Sequence, residues 1–153
     1  MKVRDIMSVN VITILEGTPY EEVARILHCC GKSGAPVVDQ DGNLIGAVSE
    51  KDLFRILYPF YKSYYEHPEC YADLEERENK IDEIRCNPVE SFMSRDLVTI
   101  DSDAPVMRAG ALMLSRNINR LPVVENGQLV GIVSRKDIYR RILQNHFGFE
   151  DRA

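Results

Sequence analysis

The chain has 153 residues, 44% hydrophobic and 28% charged, with a formal net charge of −5 and a pI of about 5.2. That acidic balance excludes a general nucleic-acid binder, because such affinity rests on neutralising many phosphates. No apolar run approaches the roughly 18 residues that cross a membrane, and charges interrupt Met1–Gly17 where a signal peptide needs an apolar core, so the sequence reads as cytoplasmic.

Val11–Ile14 reads as a short strand. Thr18-Pro19-Tyr20-Glu21 then predicts a helix start, with Thr18 as cap, Pro19 at the first position and Glu21 at the third. Val23, Ile26, Leu27 and Cys30 mark one face of that helix. Two strands follow, Ala35–Val38 and Leu44–Val48, joined by a turn over Asp39–Asn43 whose Asp41-Gly42 is a hairpin signal. A second helix begins just after Ser49.

Tyr58–Asn87 departs from this rhythm. It carries Tyr58, Tyr61, Tyr64, Tyr65 and Tyr71, then a charged, helix-favouring run that is weakly amphipathic through Leu74, Ile81 and Ile84. It reads either as a solvated helical arm or as a contact surface for a second copy or a partner, since tyrosine is a common interface anchor.

The first rhythm then returns. Leu97–Ile100 is a strand, and a helix starting near Asp103 carries Met107, Gly110, Met113 and Leu114. Leu121–Val124 and Leu129–Val133 flank Asn126-Gly127, and a last helix begins after Ser134. With Met7-Ser8 laid over Met93-Ser94, Thr13-Ile14 falls on Thr99-Ile100 and Pro36-Val37-Val38 on Pro122-Val123-Val124. After a one-residue deletion in the turn, GAVSEKD (Gly46–Asp52) falls on GIVSRKD (Gly131–Asp137). About a third of the aligned positions are identical, a strong signal for a repeat of roughly 50 residues. The fold class is therefore α/β (α+β), two motifs of order β-α-β-β-α. The motifs occupy 1–58 and 89–147, with an insertion at 59–88, together forming one domain over 1–153.

The repeated heptapeptide carries the chemistry. Ser-x-x-Asp at a helix start resembles a capping box and needs no ligand. The cap does not ask for Gly46 or Gly131, and glycine suits close approach of a ligand. An ionised aspartate offers only acceptors, which match the two donors of a ribose cis-diol. Free N–H groups at the helix N-terminus stand beside it for other ligand oxygens. Cap and ribose anchor both remain open for Ser49 and Asp52, and for Ser134 and Asp137.

The Met-Ser lead-in, Val-Thr-Ile, Pro-Val-Val and Gly-h-h-Ser-x-x-Asp (h, hydrophobic) together resemble the CBS motif, named after cystathionine β-synthase, and the whole resembles a tandem CBS pair, or Bateman module. The resemblance covers Val3 to about Leu57 and Val89 to about Leu143. It implies a pseudo-two-fold pair that binds an adenosine ligand (AMP, ADP or ATP, with S-adenosylmethionine or NAD ranked behind), usually as a homodimer and without catalysis. A separate effector protein would read the signal. Carried over, one cleft would combine Ile132, Ser134, Lys136 and Asp137 with Met7, Ile12, Ser33, Gly34 and Ala35. The other would combine Ala47, Ser49, Lys51 and Asp52 with Met93, Val98, Asn119, Arg120 and Leu121. Ile12 and Val98 would sandwich the adenine. Arg120, preceding Leu-Pro-Val, is the phosphate candidate, weighed against a surface salt bridge. Lys51 and Lys136 reach phosphate or solvent. The alternative is a dimerisation module with vestigial clefts.

No catalytic residue is nominated, because no Ser-His-Asp order, Walker loop or acid pair appears among His28, His67, His146 and their neighbours. Cys29, Cys30, Cys70 and Cys86 form no C-x-x-C pair and read as reduced thiols. His67 and Cys70 lack a second half at ligand spacing, so no metal is expected.

Overall fold

The computed structural model describes residues 1–58 and 78–150. Tyr61, Tyr64, Tyr65, Tyr71, Leu74, His67 and Cys70 of the insertion lie outside the described residues. The first repeat forms β1 (Ile14–Leu15), α1 (Tyr20–Cys29), β2 (Gly34–Val38), β3 (Leu44–Ser49) and α2 (Glu50–Arg55). A short α3 (Lys80–Ile84) follows. The second repeat forms β4 (Ile100–Asp101), α4 (Val106–Arg116), β5 (Arg120–Glu125), β6 (Gln128–Ser134) and α5 (Arg135–Phe147). Each repeat makes a three-stranded sheet, ordered β1-β2-β3 or β4-β5-β6. The outer pairs are parallel, with Ile14 opposite Val37 and Ile100 opposite Val123. β5 and β6 are antiparallel, with Arg120 opposite Ser134.

The chain divides into two compact units, and the division does not follow the repeats. One unit holds Thr13–Asp41 and Ile45–Leu97; the other holds Met1–Ile12, Gly42–Leu44 and Val98–Ala153. The segment leading into each repeat therefore belongs to the unit built on the other. Val3, in a 3-10 turn, is wholly buried with Ala109, Met113, Leu121, Val123 and Val133 of the second repeat. Val89, in the equivalent turn, is wholly buried with Ile14, Val23 and Val37 of the first. Burying one valine contributes about 1.5–3 kcal/mol. The backbone repeats the exchange: Val3 N–H donates to the Ala104 carbonyl at 2.9 Å, and Val89 N–H to the Thr18 carbonyl at 2.8 Å.

The lead-ins also cap the first helix of each repeat. Thr18, the expected cap of α1, instead donates its hydroxyl to the Leu15 carbonyl at 2.6 Å, and Pro19 takes the cap position with no side-chain bond. The orphan N–H groups of Tyr20 and Glu21 donate to the Asn87 and Arg85 carbonyls at 2.8 and 3.0 Å. The Arg85 guanidinium bonds the Glu21 carboxylate, which lowers that carboxyl's pKa. In α4, Val106 N–H donates to the Met1 carbonyl at 3.1 Å. Asp103 does not open the helix; its carboxylate takes the Arg4 guanidinium and the Lys2 ammonium.

Two further expectations shift. The first strands are two residues each rather than four, because the chain passes from one unit to the other at Ile12–Thr13 and Leu97–Val98 and so leaves the sheet. The inward face of α4 is Val106, Ala109 and Met113, while Met107 and Leu114 are 69% and 71% exposed. Starting at Val106 rather than near Asp103 sets the phase of the i, i+3, i+7 stripe. Cys30, expected on the α1 face, is exposed at its C-cap.

Candidate functional site

The two heptapeptides fold alike, each within its own unit. Ser49 caps α2: its hydroxyl accepts from Asp52 N–H at 3.3 Å, and Asp52 Oδ2 accepts from Ser49 N–H at 2.9 Å. Ser134 and Asp137 repeat this box at the start of α5, both bonds at 3.1 Å. The aspartates are therefore half-buried side chains held by a neighbouring backbone N–H, each through Oδ2, with Oδ1 outside the capping box. Asp52 Oδ1 lies 3.6 Å from the Arg55 guanidinium. Among the described residues Asp137 has no such ion pair.

The helix starts offer fewer free donors than the sequence implies. Glu50 N–H donates to the Ser33 carbonyl at 2.8 Å and Arg135 N–H to the Asn119 carbonyl at 2.9 Å. Asp52 and Asp137 N–H are used by the serines, so two of the three first-turn N–H groups of each helix are already bonded.

The glycines have a packing reason. A Cβ on Gly46 would lie 2.6 Å from Met93 Sδ and 2.9 Å from the Ser94 carbonyl oxygen. A Cβ on Gly131 would lie 2.8 Å from the Ser8 carbonyl oxygen and 2.9 Å from Met7 Sδ. The Met-Ser lead-in of each repeat thus crosses directly over the glycine of the other. The crossing is a two-bond bridge: Ser8 with Ile132 at 2.8 and 3.0 Å, and Ala47 with Ser94 at 2.9 and 2.8 Å. This explains the glycines without a ligand. It also occupies the backbone of Ala47 and Ile132, both nominated as ligand contacts.

The structure brings Met7 to Gly131 and Ser8 to Ile132, and Met93 to Gly46 and Ser94 to Ala47. Each strand-entry segment stands at the end of its own hairpin. A hairpin sets the start of its first strand beside the end of its second, so Asn119 and Arg120 line a pocket with Ser134. Likewise Gly34 lies against Val48 and Ser49, and the Ser33 carbonyl accepts from Glu50 N–H. Ala35 and Leu121 are core residues, 7% and 0% exposed, and their side chains face no solvent. Ile12 and Val98 are half-buried just before their strands.

Within the unit of the second repeat, Asn119, Arg120, Ser134, Arg135, Lys136 and Tyr139 line an open pocket of about 430 Å³. Sequence reasoning nominated four of these and missed Arg135 and Tyr139. Arg135 was visible as the one charge reversal between the heptapeptides, against Glu50. Tyr139 lies four residues on, one helical turn along the same face. Arg135 donates from its guanidinium to the Ile118 carbonyl at 3.1 Å, which holds it at the pocket. No cluster of metal-ligating side chains occurs among the described residues. No helix among them is long and apolar enough to cross a membrane.

Comparison with known proteins agrees with this architecture. The family model of the CBS domain matches twice, over residues 3–59 and 89–144. A CBS domain-containing protein of Dictyostelium discoideum is 32% identical over 138 residues, covering 89% of this chain and 87% of its own. The A-adding tRNA nucleotidyltransferase of Aquifex aeolicus is 31% identical over 145 residues, 95% of this chain, but this chain spans only 15% of that enzyme. The crystal structure of CBSX2 in complex with AMP superposes with a TM-score of 0.71 at 26% identity, covering 94% of this chain and 97% of that one. The CBS domain pair of protein MJ0100, in complex with 5′-methylthioadenosine and S-adenosyl-L-methionine, superposes with a TM-score of 0.65 at 26% identity, covering 95% and 98%. With both segments matched over most of its length, the chain belongs to the CBS domain family, as a tandem pair of CBS motifs.

Proposed function

We propose that this chain is a non-catalytic regulatory module that binds an adenosine-containing ligand at its Ser-x-x-Asp junctions. The observation that carries the reading is the carboxylate geometry. Asp52 and Asp137 are each oriented by a serine N–H yet keep an oxygen outside the cap, the type of acceptor that ribose hydroxyls require. The likeness to CBSX2 with AMP, and to the MJ0100 pair with two adenosine compounds, supports the ligand class. AMP, ADP and ATP are the first candidates, with S-adenosylmethionine and NAD behind them. Binding regulates only through different affinities for two states of the module or of its partner. That partner is a separate effector protein or a second copy in a homodimer.

The test is thermal unfolding against AMP, ADP, ATP, S-adenosylmethionine and NAD. A ligand at 100 times its Kd adds about 2.7 kcal/mol, a shift of several degrees for a domain of this size. Asp52→Ala and Asp137→Ala should each weaken binding about tenfold at their own junction, and 2′-deoxy ligands should lose a similar amount. One observation favours a second reading, a dimerisation module with empty clefts: each Ser-Asp pair completes a capping box, and each glycine is explained by the Met-Ser crossing. Absence of any shift across the panel selects that reading.

A further inference from the structure

Free cysteine is among the most buried of residue types, and the fold gives Cys29 and Cys30 no such place. Both are exposed free thiols. They are adjacent, the last residue of α1 and its C-cap. The backbone beneath them is closed. Lys32 N–H donates to the Leu27 carbonyl at 3.0 Å and Gly31 N–H to the His28 carbonyl at 3.2 Å, with Gly31 left-handed at φ +62°. This is the Schellman turn that ends many helices. The second repeat closes the same turn at the end of α4. Ile118 N–H donates to the Met113 carbonyl at 3.0 Å and Asn117 N–H to the Leu114 carbonyl at 3.4 Å, with Asn117 left-handed at φ 53°. There the two cysteines are replaced by Ser115 and Arg116, both exposed. Neither the turn nor the core therefore asks for sulfur. What the first repeat adds is a pair of thiols on a hydrogen-bonded surface turn.

The number of thiols sets the ligand class. Adjacent α-carbons lie about 3.8 Å apart, so rotation of the side chains brings both sulfurs to one central atom. Cys86 is not within reach. It stands between Arg85 and Asn87, whose carbonyls hold the first N–H groups of α1, and the rise of the helix sets it roughly 13 Å from the pair. No cluster of three metal-ligating side chains occurs among the described residues, which leaves a closed zinc site, with its four ligands, without its donors there. Two soft donors suit a thiophilic centre with two positions to fill at a bent angle. We propose that Cys29 and Cys30 form a vicinal-dithiol site for a thiophilic trivalent metalloid, of the type of a monosubstituted arsenical. In the binding step R–As(OH)2 condenses with both thiols. Two As–S bonds form, two As–O bonds break, and each hydroxyl leaves with a thiol proton as water. Arsenic stays trivalent, so no oxidant or reductant takes part. The site does not rest on the adenosine-ligand reading.

The test is titration of the whole native chain with phenylarsine oxide in a phosphine reductant, read by intact mass and by the count of remaining free thiols. Wild type should take up one arsenical and lose two thiols, and a small dithiol should remove the arsenical where a monothiol at equal concentration does not. Cys29→Ser and Cys30→Ser should each weaken binding about a hundredfold or more, because the second thiol acts at the effective concentration of a linked group. Cys86→Ser and Cys70→Ser should bind as wild type does. Arsenical-free thermal unfolding matching wild type establishes that each variant is folded. Because the pair is exposed, the rate of uptake in native buffer should lie within about threefold of the rate in urea. Uptake that occurs only in urea means that the fold hides the pair and overturns the proposal. So does binding that survives in both pair variants, or that is lost in Cys86→Ser or Cys70→Ser, since either result assigns the arsenical to another set of thiols.

Discussion

At the scale of single residues, the repeated glycines are where sequence and structure diverge most usefully. A glycine at a fixed distance from an aspartate suggests a ligand pressed against the backbone. The structure puts a methionine sulfur and a serine carbonyl there. Sequence reasoning could not find this, because the crossing segment lies far away along the chain and in the other repeat. Gly46→Ala and Gly131→Ala should each destabilise the protein by about 1–3 kcal/mol, since the clash involves backbone as well as a flexible side chain. Urea unfolding measures this; a change below about 0.5 kcal/mol would mean that the bridge yields freely. The serines and aspartates, by contrast, were legible. A stretch of four residues suffices to specify a capping box, and local hydrogen bonds need no distant partner.

At the scale of elements, the order of strands and helices was readable from periodicity and turn signals, and the hairpins at Asp41-Gly42 and Asn126-Gly127 stand where expected. The starts of α1 and α4 were not, because their caps are carbonyls from Arg85, Asn87 and Met1 rather than adjacent side chains. The α4 face follows from that start. Met113→Ala should cost about 2–5 kcal/mol, while Met107→Ala and Leu114→Ala should stay within about 0.5 kcal/mol in thermal or urea unfolding of dilute protein. A larger loss at Met107 or Leu114 would show that this exposed face is covered in solution. Tyr20 ties α1 to α2 through a buried hydrogen bond from its hydroxyl to the Leu53 carbonyl, 2.8 Å. Tyr20→Phe should cost about 1 kcal/mol. Burial raises the Tyr20 pKa, so the folded state holds this proton more tightly than the unfolded chain. The resulting stability is complete below the unfolded value near 10 and is lost as pH rises through the folded value. Stability against pH above about 9 should therefore fall less steeply in Tyr20→Phe than in wild type.

At the scale of the whole molecule, the repeats visible in the sequence and the compact units of the structure are different partitions of one chain. Alignment of the repeats shows what is similar, not what touches, so the exchange of lead-in segments was beyond its reach. Val3→Ala should accordingly loosen the second repeat rather than the first. Hydrogen exchange should show protection falling in α4 and β5 with little change in β2 and β3; the reverse pattern would contradict the swapped lead-ins. The cost should lie near 1–3 kcal/mol for two buried methyl groups. The swapped lead-ins also bear on chain integrity. Suppose a protease cuts once between Tyr58 and Glu78. The amino-terminal fragment then carries Val3 for one unit and Ile14, Val23 and Val37 for the other, while the carboxy-terminal fragment carries Val89 for the latter and the rest of the former. Each unit is made of both fragments, so severing the peptide bond leaves the pieces interlocked. A nicked sample should migrate as one particle in native size-exclusion chromatography and as two bands only after denaturation.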